Sequence, residues 1–210
     1  MGRAAAKFLS ALLLGVACLA ARADVLPKDF QVLDPPRPVS TGARIEVIEF
    51  FYYGCPVCYE AQPYVARWKL KAGPGVVHLR VPAAFTESSE SFARTFFTLE
   101  AMGLLERLHW PLYENHHFDG KELNVEKNVT AWVAANGVDA ARFTEVWHSA
   151  GVSAQVESAK KALDTYGVKG VPTFVVDGRY LTSARIAGSV PHMMETVDNL
   201  VARAAAERKK

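Results

Sequence analysis

The sequence is short of cysteine, of long apolar runs and of concentrated charge, and each shortage closes off a class of function. Its 210 residues hold three cysteines, Cys18, Cys55 and Cys58. A structural zinc site takes four ligands, usually as two spaced pairs. Here there is no second cysteine pair, and His116 and His117 are adjacent rather than spaced, so no metal site is expected. The apolar run Phe8 to Leu19 falls short of the roughly 20 residues that a spanning helix needs. Basic and acidic residues are nearly balanced, 24 against 22. The one charged block, Glu207-Arg208-Lys209-Lys210, reads as a solvated helix end, which leaves no electrostatic footprint for nucleic acid. No internal repeat or low-complexity linker is present.

The N-terminus has the features of an export signal. Arg3 and Lys7 precede the apolar run, and Ala21-Arg22-Ala23 offers the small-x-small pattern that signal peptidase cuts. Residues 1–23 are therefore read as a removed signal peptide, with Asp24 as the mature terminus. Cys18 does not read as a lipidation site, because Gly15 stands where such a box prefers leucine. Loss of Arg3, Lys7 and Arg22 brings the remainder close to neutral. Cys55 and Cys58 are then the last two cysteines, able to pair with each other or with another molecule. A bridge closing so short a loop removes little unfolded-state entropy, so stapling the fold is a poor reason to keep it.

With half of its residues hydrophobic, the chain suits one globular domain or one domain carrying an insertion. "RIEVIEFFYY" from Arg44 is rich in β-branched and aromatic residues and reads as a buried strand. The cysteines follow at once, and "VCYEAQPYVARWKLKAG" reads as a helix stopped at Gly73, with Pro63 expected to kink it. "VVHLRV", 76–81, is a second strand. Residues 87–164 are helical in pattern. Strand signals return at "PTFVVDG" and "RYLTSARI" around an Asp177-Gly178 turn, the strongest short-range hairpin signal. A last amphipathic helix opens with Ser189 as N-cap and Pro191 in its first turn. "DPPRPVS", 34–40, is a stiff extended approach to the first main strand. The expected fold is α/β, one domain built from residues 24–86 and 165–210 and interrupted by an all-helical insertion over 87–164.

Where strand gives way to helix, unpaired backbone N–H groups and the helix dipole favour negative charge. Cys55 stands there and should have a depressed pKa, while Cys58, one turn on, should remain a thiol. That asymmetry is what thiol–disulfide exchange requires, since a stabilised thiolate is a good leaving group. Pro56 at the first helical position needs no N–H and fixes the backbone without losing a bond.

"EFFYYGCPVCYEAQP", followed far downstream by "YGVKGVPTFVVDGRY" and preceded by a signal peptide, resembles the DsbA family of periplasmic thiol:disulfide oxidoreductases. The resemblance spans essentially the whole mature chain. It implies a thioredoxin-like fold with a helical insertion and a redox-active Cys55–Cys58 disulfide in place of any other cofactor. It makes Cys55 the attacking, substrate-linked cysteine and Cys58 the resolving one. Val171-Pro172 matches the family's cis-proline loop, where the backbone of Val171 would pair with an extended peptide. Glu49 matches a buried acid near the cysteines, a proton acceptor or relay for Cys58; His78 and Arg80 are both candidates to pair with it. The implied partners are newly translocated exported proteins and a membrane reoxidant of the DsbB type that passes electrons to quinone. The implied setting is the periplasm and the implied state a monomer.

One departure stands out. The familiar dipeptide between the cysteines is Pro-His, and here it is Pro56-Val57. Valine offers neither a hydrogen bond nor positive charge to the thiolate, so a milder oxidant than the Pro-His members is expected. Two rival functions follow: a disulfide reductase or isomerase, and a redox-inert peptide-binding chaperone. A glutathione-transferase-like isomerase of this fold would lack the exported CPxC pair. The short stretch between Asp24 and Arg44 leaves no room for the dimerisation module that isomerases of this compartment carry. Trp68, Trp110, Trp132 and Trp147 read as core or groove residues. His109, His116, His117 and His148 read as surface or interhelical, and the sequon at Asn128 as chance.

Overall fold

The computed structural model describes residues 27–209; the signal-peptide reading of residues 1–23 lies outside them. After a short 3-10 turn, Pro27–Asp29, the elements run β1 Gln31–Val32, β2 Ile45–Phe51, α1 Pro56–Ala72, β3 Val76–Pro82, α2 Glu87–Ala101, α3 Leu105–His117, α4 Glu126–Ala135, α5 Ala140–Trp147, α6 Ala150–Tyr166, β4 Thr173–Val176, β5 Tyr180–Ser183, α7 Ala184–Ala187 and α8 Val190–Glu207. The five strands form one sheet in the order β1-β5-β4-β2-β3, with β2 parallel to β3 and antiparallel to β4.

All seven residues of β2 are buried, as a central strand covered on both faces requires. Ile45 and Val47 point to one face and pack with Ala61, Val65 and Trp68 of α1 and with Val197 and Leu200 of α8. Ile48 and Phe50 point to the other, against Leu163 of α6. This period of two sets the position of Glu49: it shares the parity of Val47 and so faces α1. Phe51, last in the strand, carries the core over into the helices, its ring meeting Phe96, His109 and Tyr113. Phe51→Ala would cost about 3–5 kcal/mol and would loosen the sheet and the helical block together.

The helix α1 spans Pro56–Ala72 with Pro63 inside it. Two local expectations are revised. The last strand stops at Ser183 instead of continuing through Ile186, because the Ser183 side chain accepts from the Ile186 N–H and caps α7. The helical block ends at Tyr166, where Gly167 in the left-handed region closes α6.

The hairpin turn has positive φ at both central residues, 54° at Asp177 and 64° at Gly178, as a type I′ turn demands. A Cβ on Gly178 would lie 2.1 Å from the Arg37 carbonyl oxygen, so glycine is required there. Arg208 at the end of α8 reaches the same turn, its Nε 2.9 Å from Asp177 Oδ2. Among the described residues no helix is long and apolar enough to cross a membrane.

Candidate active site

Cys55 is the N-cap residue of α1, in extended conformation with φ −87° and ψ 116°, and Pro56 opens the helix. The cap position leaves the first helical N–H groups without intrahelical acceptors, and the Cys58 N–H donates to Cys55 Sγ at 3.3 Å. Both residues are thiols here. Cys55 is partly exposed, whereas Cys58 has no exposed surface. The Cys58 thiol hydrogen bond outweighs burial, backbone N–H groups add to it, and the Cys55 pKa is lowered to about 7. Burial pushes the Cys58 thiol well up, and the neighbouring Cys55 and Glu49 charges act in the same direction.

Opposite the cysteines, the Val171–Pro172 peptide bond is cis, and the Val171 carbonyl oxygen lies 3.6 Å from Cys55 Sγ. The backbone of β4 thus begins beside the sulfur that would carry a substrate. Val57 is 39% exposed and presents only methyl groups beside Cys55.

Glu49 is fully buried with both proposed partners beside it. Period two along β3 puts His78 and Arg80 on the face that Glu49 occupies across the β2–β3 register. His78 Nε2 lies 2.9 Å and Arg80 Nε 3.5 Å from Glu49 Oε2. Burial alone would raise the Glu49 pKa; the contact and charge of His78, with the charge of Arg80, outweigh it and hold the carboxyl at about 2. A third partner escaped the sequence reading: Gln62 Nε2 donates to Glu49 Oε1 at 3.1 Å. Its signal was its place in α1, four residues after Cys58, hence on the same helix face.

The histidines of the helical block divide. His148 pairs with Glu126 at the surface. His109 is buried rather than superficial, with Nδ1 2.6 Å from the Tyr53 hydroxyl, and burial lowers its pKa to about 3. His117 donates from Nε2 to the Tyr53 carbonyl oxygen at 2.7 Å and stacks on Tyr59 with ring centroids 5.0 Å apart. Trp110 stacks on the same Tyr59, while Trp68, Trp132 and Trp147 are buried in the core. Asn128 lies in α4, its Nδ2 donating to the Glu122 carbonyl.

A depressed and reachable cysteine, a buried partner thiol and a cis-proline loop against them are features that comparison with known proteins can place. The model of the DSBA-like thioredoxin domain matches residues 66–197. The chain belongs to the DSBA-like thioredoxin family. The thiol:disulfide interchange protein DsbA of Burkholderia cepacia is 35% identical over 202 residues, 93% of this chain and 95% of that relative. DsbA of Pseudomonas aeruginosa is 35% identical over 194 residues, 91% of this chain and 92% of that one. The crystal structure of P. aeruginosa DsbA superposes with a TM-score of 0.82, covering 87% of this chain and 95% of that one. This DsbA-like chain is thus a thioredoxin-fold disulfide oxidoreductase interrupted by helices, in which α2–α6 stand between β3 and β4.

Proposed function

We propose that this disulfide oxidoreductase donates a Cys55–Cys58 disulfide to reduced, newly exported proteins through a mixed disulfide at Cys55. The observation that carries the reading is the contrast between the two thiols: Cys55 is partly exposed with a pKa of about 7, and Cys58 is enclosed and raised. In the oxidised enzyme a substrate thiolate attacks Cys55 Sγ, the only sulfur of the pair that it can reach. The Cys55–Cys58 bond breaks, and Cys58 leaves as a thiolate and takes up a proton. A second substrate thiolate then attacks the substrate sulfur, and Cys55 leaves as a thiolate. Two electrons pass from substrate to enzyme, and a membrane partner of the DsbB type, passing them to quinone, would reset the disulfide. The periplasm is the compartment where these steps belong.

The remaining residues support these steps. Pro56 fixes the entry to α1, and the Val171 backbone at Pro172 offers an edge to an extended substrate. Glu49, its carboxyl held ionised beside His78 and Arg80, relays the proton that Cys58 takes up when it is expelled, and its charge favours the protonated Cys58.

A second reading, a reductase, is favoured by one observation. Activated cysteines span pKa values of roughly 3.5 to 7.5, and Cys55 lies near the top of that range beside an exposed Val57. Equilibration of the purified protein with glutathione mixtures decides between them. A potential above the glutathione poise of roughly −200 to −260 mV makes disulfide donation downhill; one well below it makes the protein a reductant.

A further inference from the structure

Beside the cis-proline loop lies a cavity of about 350 Å³ that includes Val171, Pro172, Leu181 and Ile186 in its lining. Two charged residues also line it, Lys169 and Arg185, both exposed. No carboxylate lines it, and neither cation is ion-paired among the described residues. Elsewhere Lys160 contacts Glu90 and Glu157, Arg142 contacts Glu145, and Arg208 contacts Asp177. What sets this groove apart is its lining, which carries two cations and no carboxylate. Lys169 also borders a second cavity of about 420 Å³, whose lining includes the half-exposed Phe85 together with Lys160 and Asp164. It therefore lines two depressions, one of which reaches Val171.

We infer that the groove selects extended substrate segments that carry a carboxylate side chain close to the reacting cysteine, with Lys169 and Arg185 as the residues that select them. The inference rests on the thiol-exchange reading above and adds a substrate class to it. A peptide paired with the backbone at Val171 places alternate side chains toward the groove. There an aspartate or glutamate meets two cations held by no other partner, and a lysine meets repulsion. Such complementarity acts on encounter rate and partner choice more than on the chemical step.

The test uses three cysteine-pair peptides differing only in one residue flanking the first cysteine, glutamate, glutamine or lysine, oxidised by the full protein. At about 10 mM ionic strength the glutamate peptide should react roughly three- to tenfold faster than the lysine peptide, with the glutamine peptide between them. At about 1 M salt, where the screening length falls to roughly 3 Å, the difference should collapse. The charge-reversed variant Lys169→Glu/Arg185→Glu should invert the order. Equal rates for the three peptides, with all three oxidised, would overturn the inference and leave the oxidoreductase reading standing. So would a preference that Lys169→Glu/Arg185→Glu leaves unchanged. A glutamine peptide that is not oxidised at all would overturn both.

Discussion

His117 Nε2 lies 2.7 Å from the carbonyl oxygen of Tyr53, two residues before the reactive Cys55. Through this contact α3, more than one element away in the chain, holds the loop that presents the sulfur. The imidazole also stacks on Tyr59, which directly follows Cys58. His117→Phe keeps a ring for the stack and removes the donor. It should cost about 1 kcal/mol of stability and speed amide exchange over residues 53–55, measured by hydrogen–deuterium exchange. Unchanged protection there would show that the loop is held by other means.

Cys58→Ser should accumulate a mixed disulfide with a substrate protein that carries a disulfide, visible as an adduct by mass spectrometry: the Cys55 thiolate attacks the substrate bond, one substrate sulfur leaves as a thiolate, and no second enzyme sulfur remains to displace the adduct. Cys55→Ser should form none, since Cys58 has no exposed surface. Adducts on Cys58 would contradict the assignment of roles.

Val57→His introduces an imidazole at an exposed position one residue from the helix start. The Cys55 pKa, about 7 in this sequence, should fall by about one unit, followed by thiolate absorbance against pH. The reduction potential should rise by roughly 30 mV. An unchanged or lower potential would remove Val57 from the account of how this site is tuned.

Glu49 ties stability to acid. Its pKa is depressed from 4.5 to about 2 in the folded protein. A depressed carboxyl contributes stability that is present above its unfolded value and lost as pH falls toward its folded one, here between pH 4.5 and 2, about 3 kcal/mol in all. Urea midpoints across that window should fall in the native protein. In Glu49→Gln the fall should be shallower, and stability at pH 7 lower, because Arg80 keeps a buried charge without its counter-ion.

His109 acts at higher pH. Its folded pKa of about 3 lies below the ordinary 6.5, so between these values the unfolded chain binds a proton that the folded chain refuses. Stability from this residue is whole above pH 6.5 and declines below it, by at most about 1.4 kcal/mol per pH unit. His109→Phe should flatten the dependence between pH 6 and 4.5 in the same urea series. A slope that persists there would assign the effect to another group.

The legible parts of this molecule are those whose signal is local. Strand β2, the cysteines and the N-cap of α8 each declare themselves within a few residues, and Glu49 is conspicuous as an acid in an apolar strand. Gln62 was half legible, since its spacing from Cys58 puts both on one helix face, yet nothing in α1 tells which strand residue it will meet. His109 and His117 were not legible. Their partners lie on Tyr53, and an ordinary helix pattern around a histidine does not reveal that its ring will be enclosed by another element. Ser183 shows a different limit: its neighbours favour strand, and a capping hydrogen bond of its side chain ended the strand instead.

The hairpin tip at Asp177-Gly178 lies at the end of the sheet away from the cysteines, because β4 runs antiparallel to β2 and its first residue pairs near the end of β2 that leads to Cys55. Arg208 closes onto that tip and onto the Gly42 carbonyl. The end of α8 is thus moored at the pole opposite the reactive sulfur. A tether joined to the tail, such as a surface linker, a dye or a fused domain, would leave the thiol face pointing outward and free to meet its clients.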